Sequence, residues 1–121
     1  MKFMGMAPRS KAKKEIAERD IEKAYVKRVA KEGGKAYKFT SEMNRGVSDR
    51  LTVFPGQVWF VEIKRLDGKL TKLQKLFRDY IISLELNYFT VYGLEGINAF
   101  IEEVRWVSKN GSRARKRQRR Q

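Results

Sequence analysis

Asp49-Arg50-Leu51-Thr52-Val53-Phe54-Pro55-Gly56-Gln57-Val58-Trp59-Phe60-Val61-Glu62-Ile63-Lys64 sets the architecture of this 121-residue chain. Two apolar stretches, Leu51 to Phe54 and Val58 to Val61, flank Pro55-Gly56, the pattern of strand, tight turn and strand. A loop centred between residues 55 and 56 makes Phe54 face Gln57, Val53 face Val58 and Asp49 face Glu62. Pro-Gly suits type I or II turns rather than the primed turns common in two-residue hairpins, and a one-residue bulge would break this register.

Side chains alternate along a strand, so Lys64 shares the sheet face of Glu62, and Asp49 lies on that face too. Directly opposed carboxylates, with Cβ atoms roughly 4.5 to 5.5 Å apart, repel each other unless a cation lies between them. Oxygen donors without His or Cys suit Mg²⁺ or Mn²⁺, which keep several waters and accept phosphate oxygens from a substrate. That is the chemistry of phosphodiester hydrolysis. The plainer reading takes Asp49 as a polar residue at a strand start and Glu62 and Lys64 as solvent-facing, and in a chain with 35% charged residues the bare spacing arises readily by chance.

The chain is 41% hydrophobic, enough for one domain with a single core, and contains neither Cys nor His. Disulfides, thiolate zinc sites, a Ser-His-Asp triad and a His general base are excluded, leaving carboxylates, Lys, Tyr and metal-activated water. No run approaches the roughly 20 apolar residues of a membrane span, and Met1 to Ala7 is too short and broken for a signal peptide. The expectation is an intracellular, cytoplasmic protein without a membrane partner.

The net charge of +14 is unevenly spread. Residues 1–14 carry five Lys or Arg and no acid, residues 108–121 carry seven and no acid, and the middle is nearly balanced, 16 basic against 14 acidic. This divides the chain into a basic N-terminal arm (1–14), a folded domain (15–107) and a basic tail (108–121) with almost nothing to bury, expected to be disordered when free. Arg113, Arg115, Lys116 and Arg117 in that tail are candidates for neutralising nucleic-acid phosphates without reading sequence. A solubility, localisation or anionic-membrane segment has the same composition.

Around the hairpin, a first helix is predicted from about Lys14 to Glu32, with Ile21, Ala24, Tyr25 and Val29 on one stripe and Gly33-Gly34 as its stop. A strand follows over Lys35 to Thr40. Leu73, Leu76, Phe77, Tyr80, Ile81 and Leu84 fall at helical spacing after Thr71, and Asn87 is the expected left-handed terminator of that helix. Tyr88 to Tyr92 reads as a strand, and Ile97, Phe100, Ile101 and Val104 mark a last helix. The order is αβββαβα, an α/β (α+β) chain.

The segments Asp20-Ile21-Glu22, Lys38-Phe39-Thr40, Arg45-Gly46-Val47-Ser48-Asp49-Arg50, Phe60-Val61-Glu62-Ile63-Lys64 and Lys69-Leu70-Thr71-Lys72-Leu73-Gln74 resemble, in order and spacing, the VRR-Nuc family of the PD-(D/E)XK nuclease superfamily. The resemblance spans roughly residues 18–104. It implies a restriction-endonuclease-like αβββαβ core with a C-terminal helix, its mixed central sheet flanked by helices. It also implies the activity of the small stand-alone bacteriophage members: Mg²⁺- or Mn²⁺-dependent, structure-selective DNA endonucleases that resolve four-way (Holliday) junctions as homodimers, here phage-encoded within a bacterial host. By the same resemblance Asp49 and Glu62 bind metal with the Ile63 backbone carbonyl, Lys64 contacts the reacting phosphate or nucleophile, Glu22 helps hold a second metal or its water, and Gln74 completes the catalytic set.

Glu22 reads equally as a solvated helix residue, and Gln74 as half of a Thr71-x-x-Gln74 capping box. Ser48 stands where the superfamily name has Pro, with no expected effect on ligation. Arg45, in a loop beside Gly46, is a phosphate candidate; Arg50 points to the opposite face, where an ion pair is as good a reading. Tyr25 and Trp59 read as core. For the dimer, the first helix is the expected interface. A flap or general nuclease of the same fold, a non-catalytic basic nucleic-acid-binding protein and a packaging protein that uses only its tails stay open as alternatives.

Overall fold

The computed structural model describes residues 16–39, 46 and 48–112. Helix α1 (Glu18–Lys31) leads into β1 (Lys35–Lys38), β2 (Arg50–Phe54) and β3 (Gln57–Lys64), followed by α2 (Lys72–Ser83), β4 (Asn87–Tyr92) and α3 (Gly93–Asn110). The sheet order is β1-β2-β3-β4, antiparallel except for the parallel β3–β4 pair joined through α2.

The hairpin forms in the register expected from the sequence: Phe54 pairs with Gln57, Val53 with Val58 and Arg50 with Val61. Gly56 has φ 74°, as the third residue of a type II turn requires, so the non-primed turn closes the loop without a bulge. Gln57 then fastens the hairpin to α3. Its amide donates to the Val104 carbonyl (3.1 Å) and the Ser108 hydroxyl (2.8 Å), and its Oε1 accepts from Trp59 Nε1 (2.7 Å).

One sheet face is the core. Ile21, Tyr25 and Val29 of α1 and Ile97, Phe100, Ile101, Val104 and Val107 of α3 pack on Trp59, Val61, Ile63 and Val91. Tyr25 is fully buried and shares a 2.6 Å hydrogen bond with Thr52, and burial pushes its phenol well above the usual range. The other face receives α2, where Phe77 meets Phe60 edge-on at 5.9 Å.

Four expectations change. Ala17 is extended and caps α1, so the helix starts at Glu18 rather than near Lys14. Phe39 lies outside β1, which ends at Lys38. Ser108 to Asn110, assigned to the tail, form the last turn of α3, and Ser112 is buried. Finally, Asn87 does not end α2 but lies in β4, its side chain donating to the Val58 carbonyl. The left-handed residue is Glu85 (φ 63°), with Glu85 N donating to Ile82 O and Leu86 N to Ile81 O, a Schellman closure. Gly33 and Gly34 close α1 in the same way. Because a side chain at φ 63° is strained, Glu85→Gly should stabilise the fold by about 0.5–1 kcal/mol, read as a higher urea midpoint.

The stripe read on α2 divides. Ile81 is buried and Phe77 half-buried, whereas Leu73, Leu76, Tyr80 and Leu84 are between 47% and 60% exposed. Periodicity reported the helix but not which apolar residues the sheet covers, because α2 is apolar over more than its contact arc.

Candidate active site

Asp49 leads into β2 from a segment anchored by Phe39 N donating to the Asp49 carbonyl at 2.8 Å. Continuing the β2–β3 register by one position sets it against Glu62, and the two carboxylates share a hydrogen bond. Glu62 is only 2% exposed. Its burial, with the Asp49 charge and hydrogen bond added, pushes its carboxyl up to about 8. Burial and the facing charge thus both favour the protonated form of Glu62.

Gln74 both caps α2 and reaches the acid strand. Its Oε1 accepts from Thr71 N (2.8 Å) while Thr71 Oγ1 accepts from Gln74 N (3.1 Å), completing the capping box, and its Nε2 donates to Glu62 Oε2 (3.1 Å). One planar amide ties the start of α2 to the buried acid. Gly46 fixes the approach from the other side: at φ 92° it lies so close to Leu73 that a Cβ would stand 2.6 Å from the Leu73 carbonyl oxygen. Gln74→Ala should cost about 1 kcal/mol through the lost cap, visible in thermal unfolding.

Lys64 shares the Glu62 face, and its charge pulls the Glu62 and Glu18 carboxyls back down. Ile63 buries its side chain in the core while its N–H makes a long contact (3.4 Å) to Asp49 Oδ2. Glu22 is held by Arg50 at 2.9 Å, so the ion-pair reading of Arg50 describes the structure. Ser48 is 1% exposed, directly before Asp49. Arg45, Arg113, Arg115, Lys116 and Arg117 lie outside the described residues.

Glu18 was not among the sequence candidates. It sits one turn before Glu22, and ligand atoms of Glu18, Glu22 and Asp49 lie within 4.8 Å of one another. Burial, then the charge of Asp49, raises the Glu18 carboxyl. The i, i+4 spacing of Glu18 and Glu22 was a usable signal, since it puts both on one helix face. Tyr88 and Thr90 border the site from β4, Thr90 opposite Glu62 and donating to the Tyr88 hydroxyl at 3.1 Å. Burial first, opposed by the Thr90 bond and assisted by Glu62, pushes Tyr88 up to about 12, so it stays neutral.

A mixed four-stranded sheet carrying an acid opposite an E-x-K strand across its central hairpin, with helix acids beside them, defines a restriction-endonuclease-like domain. No family model matches the chain. A solved structure described as a VRR_NUC domain superposes with a TM-score of 0.66 at 28% identity, covering 70% of this chain and 94% of that one. The "Putative nuclease p44" of Acyrthosiphon pisum secondary endosymbiont phage 1 is 50% identical over 60 residues, 49% of this chain and 64% of that relative's length. The superposition and the phage relative, of which the chain spans just under two thirds, support a nuclease of VRR-Nuc type.

Proposed function

We propose that this domain is a divalent-metal-dependent, structure-selective DNA endonuclease that resolves four-way junctions as a homodimer. The observation that carries the reading is the buried Glu62 facing the half-buried Asp49, held by Gln74 on one side and continued by Glu18 and Glu22 on the other. Facing carboxylates, one of them buried, that repel each other fit a hard cation, and an all-oxygen donor set fits Mg²⁺ or Mn²⁺. Asp49, Glu62 and the Ile63 carbonyl would hold the ion, with Glu18 or Glu22 available for a second through Asp49. When bound, such an ion supplies Lewis acidity at phosphate and water. Lys64 stabilises the charge that develops on the phosphate, Gln74 keeps Glu62 in place, and Tyr88 remains a hydrogen-bond donor beside them.

In-line hydrolysis would leave a 3′-hydroxyl and a 5′-phosphate. The phage origin of the p44 relative supports action on DNA inside an infected bacterium. No helix among the described residues is long and apolar enough to cross a membrane. The packaging and binding-only alternatives leave the Gln74–Glu62–Asp49 arrangement without a purpose. Labelled four-way junction, 5′ flap, single strand and linear duplex, incubated with Mg²⁺, Mn²⁺ or chelator, test the proposal. Symmetric metal-dependent cuts in the junction are expected, preferential flap cutting would redirect the substrate, and no metal-dependent cleavage of any DNA refutes the enzyme.

For the dimer, α1 is unsuitable because its apolar stripe is in the core. The outer face of α2 replaces it. Leu73, Leu76, Tyr80 and Leu84 recur at i, i+3, i+7 and i+11, an exposed apolar seam on one helix. Antiparallel twofold packing would set Leu73 and Leu76 against Leu84 and Tyr80 of a second copy, and the Lys72 and Lys75 end against Glu85, so shape and charge are both self-complementary. Leu76→Asp should convert the protein to monomer in light scattering and uncouple the two junction cuts, with helix content unchanged.

A further inference from the structure

Folding sorts the nearly balanced charges of the middle of the chain into a basic groove that opens beside the acids. Arg19, Lys23 and Lys27 recur at i, i+4 and i+8 on α1, and with Lys38 of β1 and Arg50 of β2 they line an open groove of about 640 Å³. Glu22 is its one acid and is already bound to Arg50. Among the described residues no carboxylate pairs with Arg19, Lys23, Lys27 or Lys38. Like charges at i, i+4 on a helix repel, so this row weakens α1 unless a polyanion lies along it.

We infer that this groove is the track for the phosphodiester backbone of the DNA strand being cut, leading from the Asp49–Glu62 acids along α1. The inference rests on the nuclease reading of that site. Glu22 is the hinge between the two, lining the groove and standing within 4.8 Å of Asp49 and Glu18. Arg19 to Lys27 spans eight residues, roughly 12 Å of helix, which matches about three to four nucleotides of axial rise on one strand. Arg50, neutralised by Glu22, forms the floor rather than a contact, leaving Arg19, Lys23, Lys27 and Lys38 as the phosphate ligands. None of them reaches for bases in a patterned way, so the track positions the backbone and carries no sequence preference.

The experiment measures binding of labelled four-way junction by fluorescence anisotropy in chelator, across a salt series, for the full chain and for Lys23→Gln/Lys27→Gln/Lys38→Gln. All three positions are exposed and the changes relieve like-charge repulsion on α1, so folding is checked by a melting temperature no lower than that of the unchanged chain. The expected result is affinity weaker by roughly tenfold or more near 0.1 M salt and a slope of log affinity against log salt shallower by about 2 to 3, one increment per lost phosphate contact. Lys109→Gln, at the hairpin-tip end beside Pro55, should leave both nearly unchanged. A triple variant with wild-type affinity and slope, or one no weaker than Lys109→Gln, overturns the track. Because binding is read without metal, groove-dependent binding by a protein that never cuts would sink the nuclease reading and leave the track standing.

Discussion

Replacing Glu62 with Gln should reduce metal-dependent cleavage by well over about 100-fold, beyond the range for losing a group that merely orients a ligand, while making the metal-free protein more stable at pH 8. Glu62 is almost fully buried, and its carboxyl is pushed up to about 8 by burial and by Asp49. In the unfolded chain it titrates near its ordinary value of 4.5. Between those values the native state binds the proton and the unfolded state does not, so stability contributed by this group is present below pH 4.5 and is lost as pH rises toward 8. Glutamine keeps the shape without the charge and should flatten that decline in thermal unfolding. An Mg²⁺ ion held at the proposed site would displace the proton, so added Mg²⁺ should raise the melting temperature of the wild type far more at pH 8 than at pH 6, and raise that of Glu62→Gln little at either. A variant that retains cleavage, or a wild-type melting temperature that climbs with pH without metal, would contradict the assigned role.

The second large effect falls on the opposite face of the sheet. Phe100 of α3 is fully buried and sits among Trp59 (5.3 Å, edge-on), Phe89 (5.3 Å), Tyr25 (5.6 Å) and Phe54 (6.2 Å), touching α1 and three strands. Truncation removes the ring and leaves a cavity bounded by rigid neighbours, so Phe100→Ala should cost about 3–5 kcal/mol. Against the roughly 5–15 kcal/mol of a typical domain, this makes the variant marginal. Urea unfolding should show a midpoint lowered by about 1 M or more. Cleavage per folded molecule at low temperature should hold, since the ring lies across the sheet from Glu62. Leu→Ala changes on the outer face of α2 should cost far less.

What the sequence disclosed follows the range of the interactions. The β2–β3 register was legible because Pro55-Gly56 fixes a short loop and alternation fixes the faces. The stripes of α1 and α3 were legible because most of their large apolar residues, Ile21, Tyr25 and Val29 and then Ile97, Phe100, Ile101, Val104 and Val107, fall on the arc that the sheet covers. On α2 the apolar arc is wider than its contact, so Phe77 and Ile81 could not be told from Leu76 and Tyr80. Gln74 was ambiguous because its carbonyl caps α2 while its amide reaches Glu62, a contact that no capping pattern discloses. Glu18 and the basic groove were illegible for one shared reason: each depends on how α1 lies across β1 and β2, which no local pattern encodes. Asn87 misled because Asn favours the left-handed region, yet at Glu85 the Schellman closure overrode that preference.

The parallel β3–β4 pairing has a consequence for the order of folding. Asp49 and Glu62 meet across a hairpin, a contact closed on the order of 1–10 μs in isolated chains, whereas β4 must travel around α2 before it can pair with β3. Contacts of that range come late, because the entropy of closing the long connection is lost before the strand ladder compensates it. The two acids should therefore become neighbours early, with the burial that raises Glu62 completed only once the α2–β4 segment docks. In a stopped-flow refolding experiment the proton taken up by Glu62 near neutral pH becomes a clock for that final step.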